Sequence, residues 1–441
     1  MLKSVSIFLT ALLVSVRAWT AAAKDKALRN FSTGIELRRL LYPLASLLLF
    51  FPLFYQIYWP AADGLDVTGQ QIGRDFINVW AAPQLAFEGR LGTLFDMQGY
   101  HEAIGALFGR PLPFHNWSYP LFTLPVFWLL AQLPYFVALA VWTLGLWAAF
   151  AAITLSQIER PNRPYALLAL LLAPACLINV VSGQNGFLSA ALMLGGVICL
   201  DRRPIAAGIL FGLLAFKPQL AFVLPFTLLV LGAWRVMAAA ALTAIVLVVG
   251  SVALFGIEPW QRYFEVTGAY QVLLLQNFQG FYTTMMVSVF AGARTFGLSY
   301  SAAMAIQIAV ALPVLVGACL AVRRTSDPCR RAFVLVSAAP LLTPYAFNYD
   351  LTALAAALIW TLEGRLSWRS EWRSVYFVAY CAPVAMIGLQ PQGLGLMPFV
   401  LVAVFLMSLQ EACRSPFRHA DRGAEVSRIA GAAPANHCIQ S

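Results

Sequence analysis

Residues 40–62 read LLYPLASLLLFFPLFYQIYWPAA, a run with no Asp, Glu, Lys or Arg. A helix needs about 20 such residues to cross the hydrocarbon core of a bilayer. The run follows Lys24, Lys26, Arg29, Arg38 and Arg39. Basic clusters stay on the cytoplasmic side, so the run leaves the cytoplasm and its far end lies outside. Its reading sets the class of the whole chain. Of 441 residues, 61% are hydrophobic and 11% charged, against about 25% charged in a soluble domain. A soluble core could not hide that much apolar surface, so lipid must be part of the solvent.

Working outward, residues 60–118 form a polar segment outside the first span. It holds Asp63, Asp66, Asp75, Glu88, Asp96 and Glu102 against Arg74, Arg90 and Arg110. Within it, residues 75–88 have helical texture and are expected to lie along the membrane surface. The charge-free stretch 111–158 is too long for one span, and Pro134 suggests two helices, 118–133 and 136–157. Further spans are expected near 165–182, 186–200, 204–216, 218–233, 236–256, 301–322, 374–390 and 394–411. Residues 257–283 read as a second outer loop. Two full crossings within 118–157 would put Arg202 and Arg203 outside; a partial or re-entrant segment would restore the parity, and the sequence leaves open which segment between 118 and 235 it is. The expectation is an all-α polytopic helical bundle of about 11–13 spans, with short surface helices on an outer loop. It divides into an N-terminal cytoplasmic or interfacial segment 1–39, a single membrane-embedded domain 40–411 and a basic cytoplasmic tail 412–441. Residues 1–23 resemble a secretory signal, but cleavage there would leave the basic cluster outside, so we read them as uncleaved.

Net charge is +10, yet the basic residues sit in short clusters between apolar runs. That is membrane orientation and gives no soluble nucleic-acid surface. The seven cysteines and four histidines show no ligand spacing, so neither a disulfide framework nor a metal site is expected, and no cofactor is implied.

A few polar positions could carry chemistry. Asp75, in RDFINVW (74–80), could act as a general base on an incoming hydroxyl or could cap the following helix. Lys217 is the only lysine after residue 26 and interrupts an apolar run in FKPQ (216–219). It could hold a phosphate or be a snorkelling anchor. Gln184 and Asn185, in SGQNG (182–186), could bind carbohydrate or form an ordinary turn. Tyr349 and Asp350, in TPYAFNYD (343–350), could line a site or cap a helix. HNWSYP (115–120) brings Tyr119 to the end of the first outer segment, where aromatics usually form an interfacial belt. Arg262 and Arg294 could contact phosphate.

In this order the pieces resemble glycosyltransferase family 87 of the C-type membrane glycosyltransferases, whose best-known members are polyprenyl-phosphate-mannose-dependent α-mannosyltransferases. The matching residues are Asp75 with Asn78-Val79-Trp80-Ala81, Gly89 and Leu94-Phe95-Asp96, Tyr119-Pro120-Leu121-Phe122, Leu133-Pro134, Trp142, Gly183-Gln184-Asn185, Ala207-Gly208 with Gly212, Phe216-Lys217-Pro218-Gln219, and Pro344-Tyr345 to Tyr349-Asp350-Leu351. The chain departs from some mannosyltransferases of the family at Asn348-Tyr349-Asp350 and at Tyr119-Pro120-Leu121, which leaves sugar and acceptor open. The resemblance implies an inverting hexosyl transfer, mannose first among the sugars, from a polyprenyl-phosphate donor to a lipid or glycan acceptor hydroxyl. It places the reaction on the outer face of a bacterial-type inner membrane. Asp75 would be the base and Lys217 a donor-phosphate contact. Gln184, Asn185, Asp350, Tyr349, Tyr119 and Arg262 would be candidate binding residues. The competing readings are a lipid-linked polysaccharide flippase or transporter, and a non-catalytic membrane assembly protein. The first would call for paired halves with broken helices.

Overall fold

The computed structural model describes residues 33–414, so the expectations for residues 1–23 and for nearly all of the tail lie outside the described residues. Among the described residues the fold is helical, with three isolated β-bridges and no sheet. Five helices among the described residues are long and apolar enough to cross a membrane alone: Leu37–Tyr58, Tyr135–Ser156, Trp234–Phe255, Tyr300–Arg324 and Ser370–Gln392. Arg160–Leu171 and Pro174–Ser182 are apolar and long enough only as a pair, bent by 52° at the break between them. Pro174 accounts for the break, since it cannot supply the amide a continuous helix needs. Four shorter apolar helices of 10–17 residues, Gly186–Cys199, Pro204–Phe216, Pro218–Val230 and Met397–Ala412, accompany them. The membrane bundle expected from composition is therefore present, but many of its elements are shorter than full spans.

The topology between 118 and 157 resolves on one helix. Thr123–Ala131 has 9 residues, about 14 Å at 1.5 Å per residue, against a hydrocarbon core of about 30 Å. It packs on the Phe76–Leu85 helix, and the Trp80 indole Nε1 donates to the Leu133 carbonyl at 2.9 Å. The chain thus returns to the end it came from before Tyr135–Ser156 crosses. With a single crossing there, Arg202 and Arg203 fall at the same end as Arg160 and Arg163, as their charge requires.

One expectation for the outer segments is corrected. Phe76–Leu85 is no surface helix: Phe76, Ile77, Val79, Ala81, Ala82 and Leu85 are all buried. Its Phe76 ring meets Tyr135 and Trp142 at centroid separations of 5.5 and 6.1 Å. Small and aromatic residues that suit an interface suit a tight helix contact equally well. Residues 257–283, expected as a second outer loop, carry short helical pieces at Glu258–Arg262, Tyr263–Gly268 and Ala269–Asn277. Trp260 and Phe122 approach ring to ring at 6.2 Å and the Tyr263 hydroxyl donates to the Ser118 carbonyl at 3.5 Å, which lays this segment over the end of the first outer one.

Helix packing in lipid relies on close backbone approach, because lipid tails are as apolar as leucine. Pro204–Leu213 and Trp234–Phe255 use Gly208 and Gly212 for this. A Cβ on Gly208 would lie 2.5 Å from the Val236 carbonyl oxygen, and one on Gly212 would lie 2.7 Å from that of Ala240. Gly208→Val is expected to cost about 1–3 kcal/mol through overpacking, read as a lower melting temperature of the detergent-solubilised protein. Gly145→Val, at an open position, should leave it nearly unchanged.

Candidate functional site

Residues 60–74 build a platform under Asp75. The Asp66 carboxylate accepts from the Thr68 amide at 2.8 Å and hydroxyl at 2.6 Å, and from Arg74 Nε and Nη2 at 2.9 and 2.6 Å. Arg74 also donates to the Ile57 carbonyl at 2.7 Å and lies over the Tyr58 ring at 4.2 Å. It adopts φ 37°, a left-handed conformation uncommon outside glycine, held by these contacts. Asp66 and Arg74 are thus occupied in folding the segment, while the next residue, Asp75, is left for other work.

Asp75 stands at the N-cap of Phe76–Leu85 but makes no side-chain cap hydrogen bond. Its carboxylate accepts from Gln184 Nε2 at 2.5 Å instead. The capping alternative does not describe this carboxylate. Asp75 lies outside the candidate spans, and burial raises its pKa from the ordinary carboxylate value. His115, Arg74, the Gln184 hydrogen bond and Lys217 oppose that shift in decreasing order. His115 is buried, and burial lowers its pKa. In the neutral ring Nδ1 carries the proton, donated to the Pro113 carbonyl at 2.6 Å.

The turn at 182–186 reaches Asp75 because two glycines permit it. Gly183 has φ 57°, and a Cβ there would stand 2.3 Å from the Gly73 carbonyl oxygen. A Cβ on Gly186 would stand 2.3 Å from the Tyr349 carbonyl oxygen. Between them, Gln184 turns to Asp75 and Asn185 Nδ2 donates to the Tyr119 hydroxyl at 2.9 Å. The segment is both an ordinary turn and a contact point. Asn179 ties it to residues 349–352: its Oδ1 accepts from the Gly186 amide at 2.7 Å, and its Nδ2 donates to the Tyr349 carbonyl at 3.0 Å and to Thr352 Oγ1 at 2.7 Å.

Lys217 follows a 3-10 turn that ends the Pro204–Leu213 helix. It is buried and forms an ion pair with Asp350, and its ammonium lies 4.7 Å from the centroid of the Tyr349 ring. Asp350 Oδ2 also accepts from the Phe347 amide at 3.1 Å, so Asp350 shapes its own turn as well as holding the lysine. The Tyr349 and Phe347 rings stack at 5.3 Å. Burial raises the phenols of Tyr119 and Tyr349, leaving both protonated and able to donate to a hydroxylated ligand.

The structure therefore gathers Asp75, Gln184, Asn185, Tyr119, Lys217, Tyr349 and Asp350 at one end of the bundle. Arg262 is not among them. Its side chain is 55% exposed and pairs with Glu258 one turn away. Arg294 is spent on the Leu298 and Gln276 carbonyls. Reading the sequence missed Asn179, which lies inside an apolar run, and gave His115 no partner. The rarity of histidine was the one available signal for the latter. Among the described residues no group of three or more His, Cys, Asp or Glu side chains could hold a metal ion.

Compared with known proteins, the chain matches the family model described as glycosyltransferase family 87 over residues 117–344, just over half its length. Tyr119, Gln184, Asn185 and Lys217 fall within the matched segment, while Asp75 and Asp350 fall outside it. No curated protein and no solved structure matches.

Proposed function

The chain belongs to glycosyltransferase family 87 and is a membrane glycosyltransferase, and we propose that it moves a hexose, mannose first among candidates, from a polyprenyl-phosphate donor to an acceptor hydroxyl on a lipid or glycan. Asp75 takes the proton of the acceptor hydroxyl. The acceptor oxygen bonds to the anomeric carbon as the bond from that carbon to the phosphate oxygen breaks, with inversion. The phosphate leaves with the electron pair, and Lys217 balances its charge. Gln184 fixes the carboxylate, Asp350 and the Tyr349 ring fix the lysine, and Asn185 with Tyr119 offers hydrogen bonds to the sugar. Arg262 takes no part in this proposal, since it pairs with Glu258 in solvent. The observation that supports the reading is the hydrogen bond from Gln184 to Asp75, across 109 residues of sequence, within interaction distance of Lys217.

The membrane-embedded part, 40–411, acts as one unit in this proposal, with the tail from 412 cytoplasmic. The site end faces outside, across the inner membrane of a bacterial-type cell. Arginine placement supports that orientation: Arg160, Arg163, Arg202, Arg203, Arg323, Arg324, Arg365 and Arg369 all sit in connections or the adjoining helix turns at the other end.

The base must be ionised, and burial raises the pKa of Asp75. Transfer is therefore expected to fail on the acid side as pH falls through that raised pKa. Gln184→Leu removes a hydrogen bond that favours the charged form, so the acid limb of the pH–rate profile should move to higher pH. An unmoved limb in Gln184→Leu would count against Asp75 as the titrating base. The direct test is a transfer assay with polyprenyl-phosphate sugars and membrane extract, which reads both product and sugar preference.

A further inference from the structure

We infer that the end of the bundle opposite the Asp75 group carries a binding site for the phosphate of an anionic lipid headgroup. Gly186–Cys199 starts beside Gln184 and runs 14 residues away, about 21 Å, and Pro204–Leu213 returns to Lys217. Where these helices turn, at Asp201–Arg203, they meet the turn Leu231–Ala233 that joins two further helices. Between the turns lies a cavity of about 430 Å³, lined among others by Asp201, Pro204, Trp234, Arg235 and Arg331.

Charge and burial distinguish this cavity from an ordinary gap between loops. Arg331 is 9% exposed. Its Nε donates to the Val322 and Thr325 carbonyls and its Nη1 to both oxygens of Asp201 at 2.9 Å. Its Nη2 has no hydrogen bond among the described residues. Arg235 is exposed at the wall, and Arg202 and Arg203 are exposed on the adjoining turn. None of these three has an ion pair among the described residues. Asp201 contributes the one negative charge of the lining, already engaged by Arg331. The site is therefore cationic and holds a guanidinium that is fixed in place with a donor to spare. Guanidinium groups suit phosphate oxygens because their donors match that geometry.

The occupant follows from what borders the cavity. Trp234, 64% exposed, begins the Trp234–Phe255 helix, and only 6% of the apolar window of that helix is buried within the protein. The outward face of that helix, with Leu242, Ile245, Val246, Val249 and Leu254 all exposed, is apolar and suits contact with lipid. A cavity at the foot of such a helix opens sideways to a leaflet, with an indole at the level where tryptophan sits in membranes. A headgroup phosphate can enter beside Arg235 and Arg331 while its acyl chains run along Trp234–Phe255. Basic pockets between membrane helices recognise anionic lipids in this way. The site is independent of the transfer chemistry.

The test uses the full-length purified protein in detergent. Native mass spectrometry compares retention of phosphatidylglycerol, phosphatidylethanolamine and inorganic phosphate. The expected result is retention of phosphatidylglycerol over phosphatidylethanolamine, reduced at least about fivefold in Arg235→Glu, which removes one cation and adds an anion. Arg90→Glu, the same charge change at an exposed position at the other end, should leave retention unchanged. Matching size-exclusion profiles verify folding. Equal retention of the two lipids, equal loss in both variants, or binding of inorganic phosphate without lipid retention would each overturn the inference.

Discussion

Asp75→Asn is expected to lower transfer from a polyprenyl-phosphate sugar by about 10³-fold, within the range a positioned general base contributes, while the protein still inserts and purifies normally. The substitution keeps shape and hydrogen-bonding reach. Gln184 Nε2, now 2.5 Å from Asp75 Oδ2, can donate to the asparagine oxygen. The Asp66–Arg74 pair that shapes the preceding segment is untouched. What is lost is the ability to accept a proton, so kcat should fall with little change in the donor KM. The measurement is initial transfer rate in membranes, normalised to protein content. Activity within tenfold of wild type would remove Asp75 from the mechanism.

The second large effect concerns the Lys217–Asp350 pair. Both side chains are buried, and removing one partner leaves an uncompensated buried charge, a loss of about 3–5 kcal/mol. Lys217→Met and Asp350→Leu are each expected to melt well below wild type. The double variant leaves no orphaned charge and should recover much of the loss, since apolar replacements of buried pairs are often near neutral. It should nevertheless stay inactive, because nothing then balances the departing phosphate. Recovery of both stability and transfer in the double variant would make the pair purely structural. Melting of solubilised protein and the transfer assay together separate the two roles.

How much was legible beforehand differs between fold and site. The first span and the helices near 186–200, 204–216 and 236–256 could be read from apolar runs bounded by basic residues, because lipid imposes that pattern locally along the chain. The short Thr123–Ala131 helix could not be read so. Its composition matches a span, and its return to the same end depends on packing against Phe76–Leu85, more than thirty residues upstream. The surface position expected for 75–88 failed for the same reason, since Phe76 and Ile77 suit lipid headgroups and a helix contact alike. At the site, residue types pointed to Asp75, Lys217, Gln184 and Asp350 singly, each with an ordinary alternative. Arg262 drew notice through its charge and proved to be exposed.

The sequence by itself determined that this protein lives in a membrane, which connections are basic, and which polar residues interrupt the apolar runs. These are properties of local composition, enforced by the cost of placing charge in hydrocarbon. Only the tertiary structure decided that Gln184 meets Asp75 and Lys217 meets Asp350, 109 and 133 residues apart. That meeting depends on Gly183 and Gly186 admitting neighbouring backbone where any Cβ would collide, and on Asn179 joining two distant turns. Such contacts are long-range packing facts, and no local pattern encodes them.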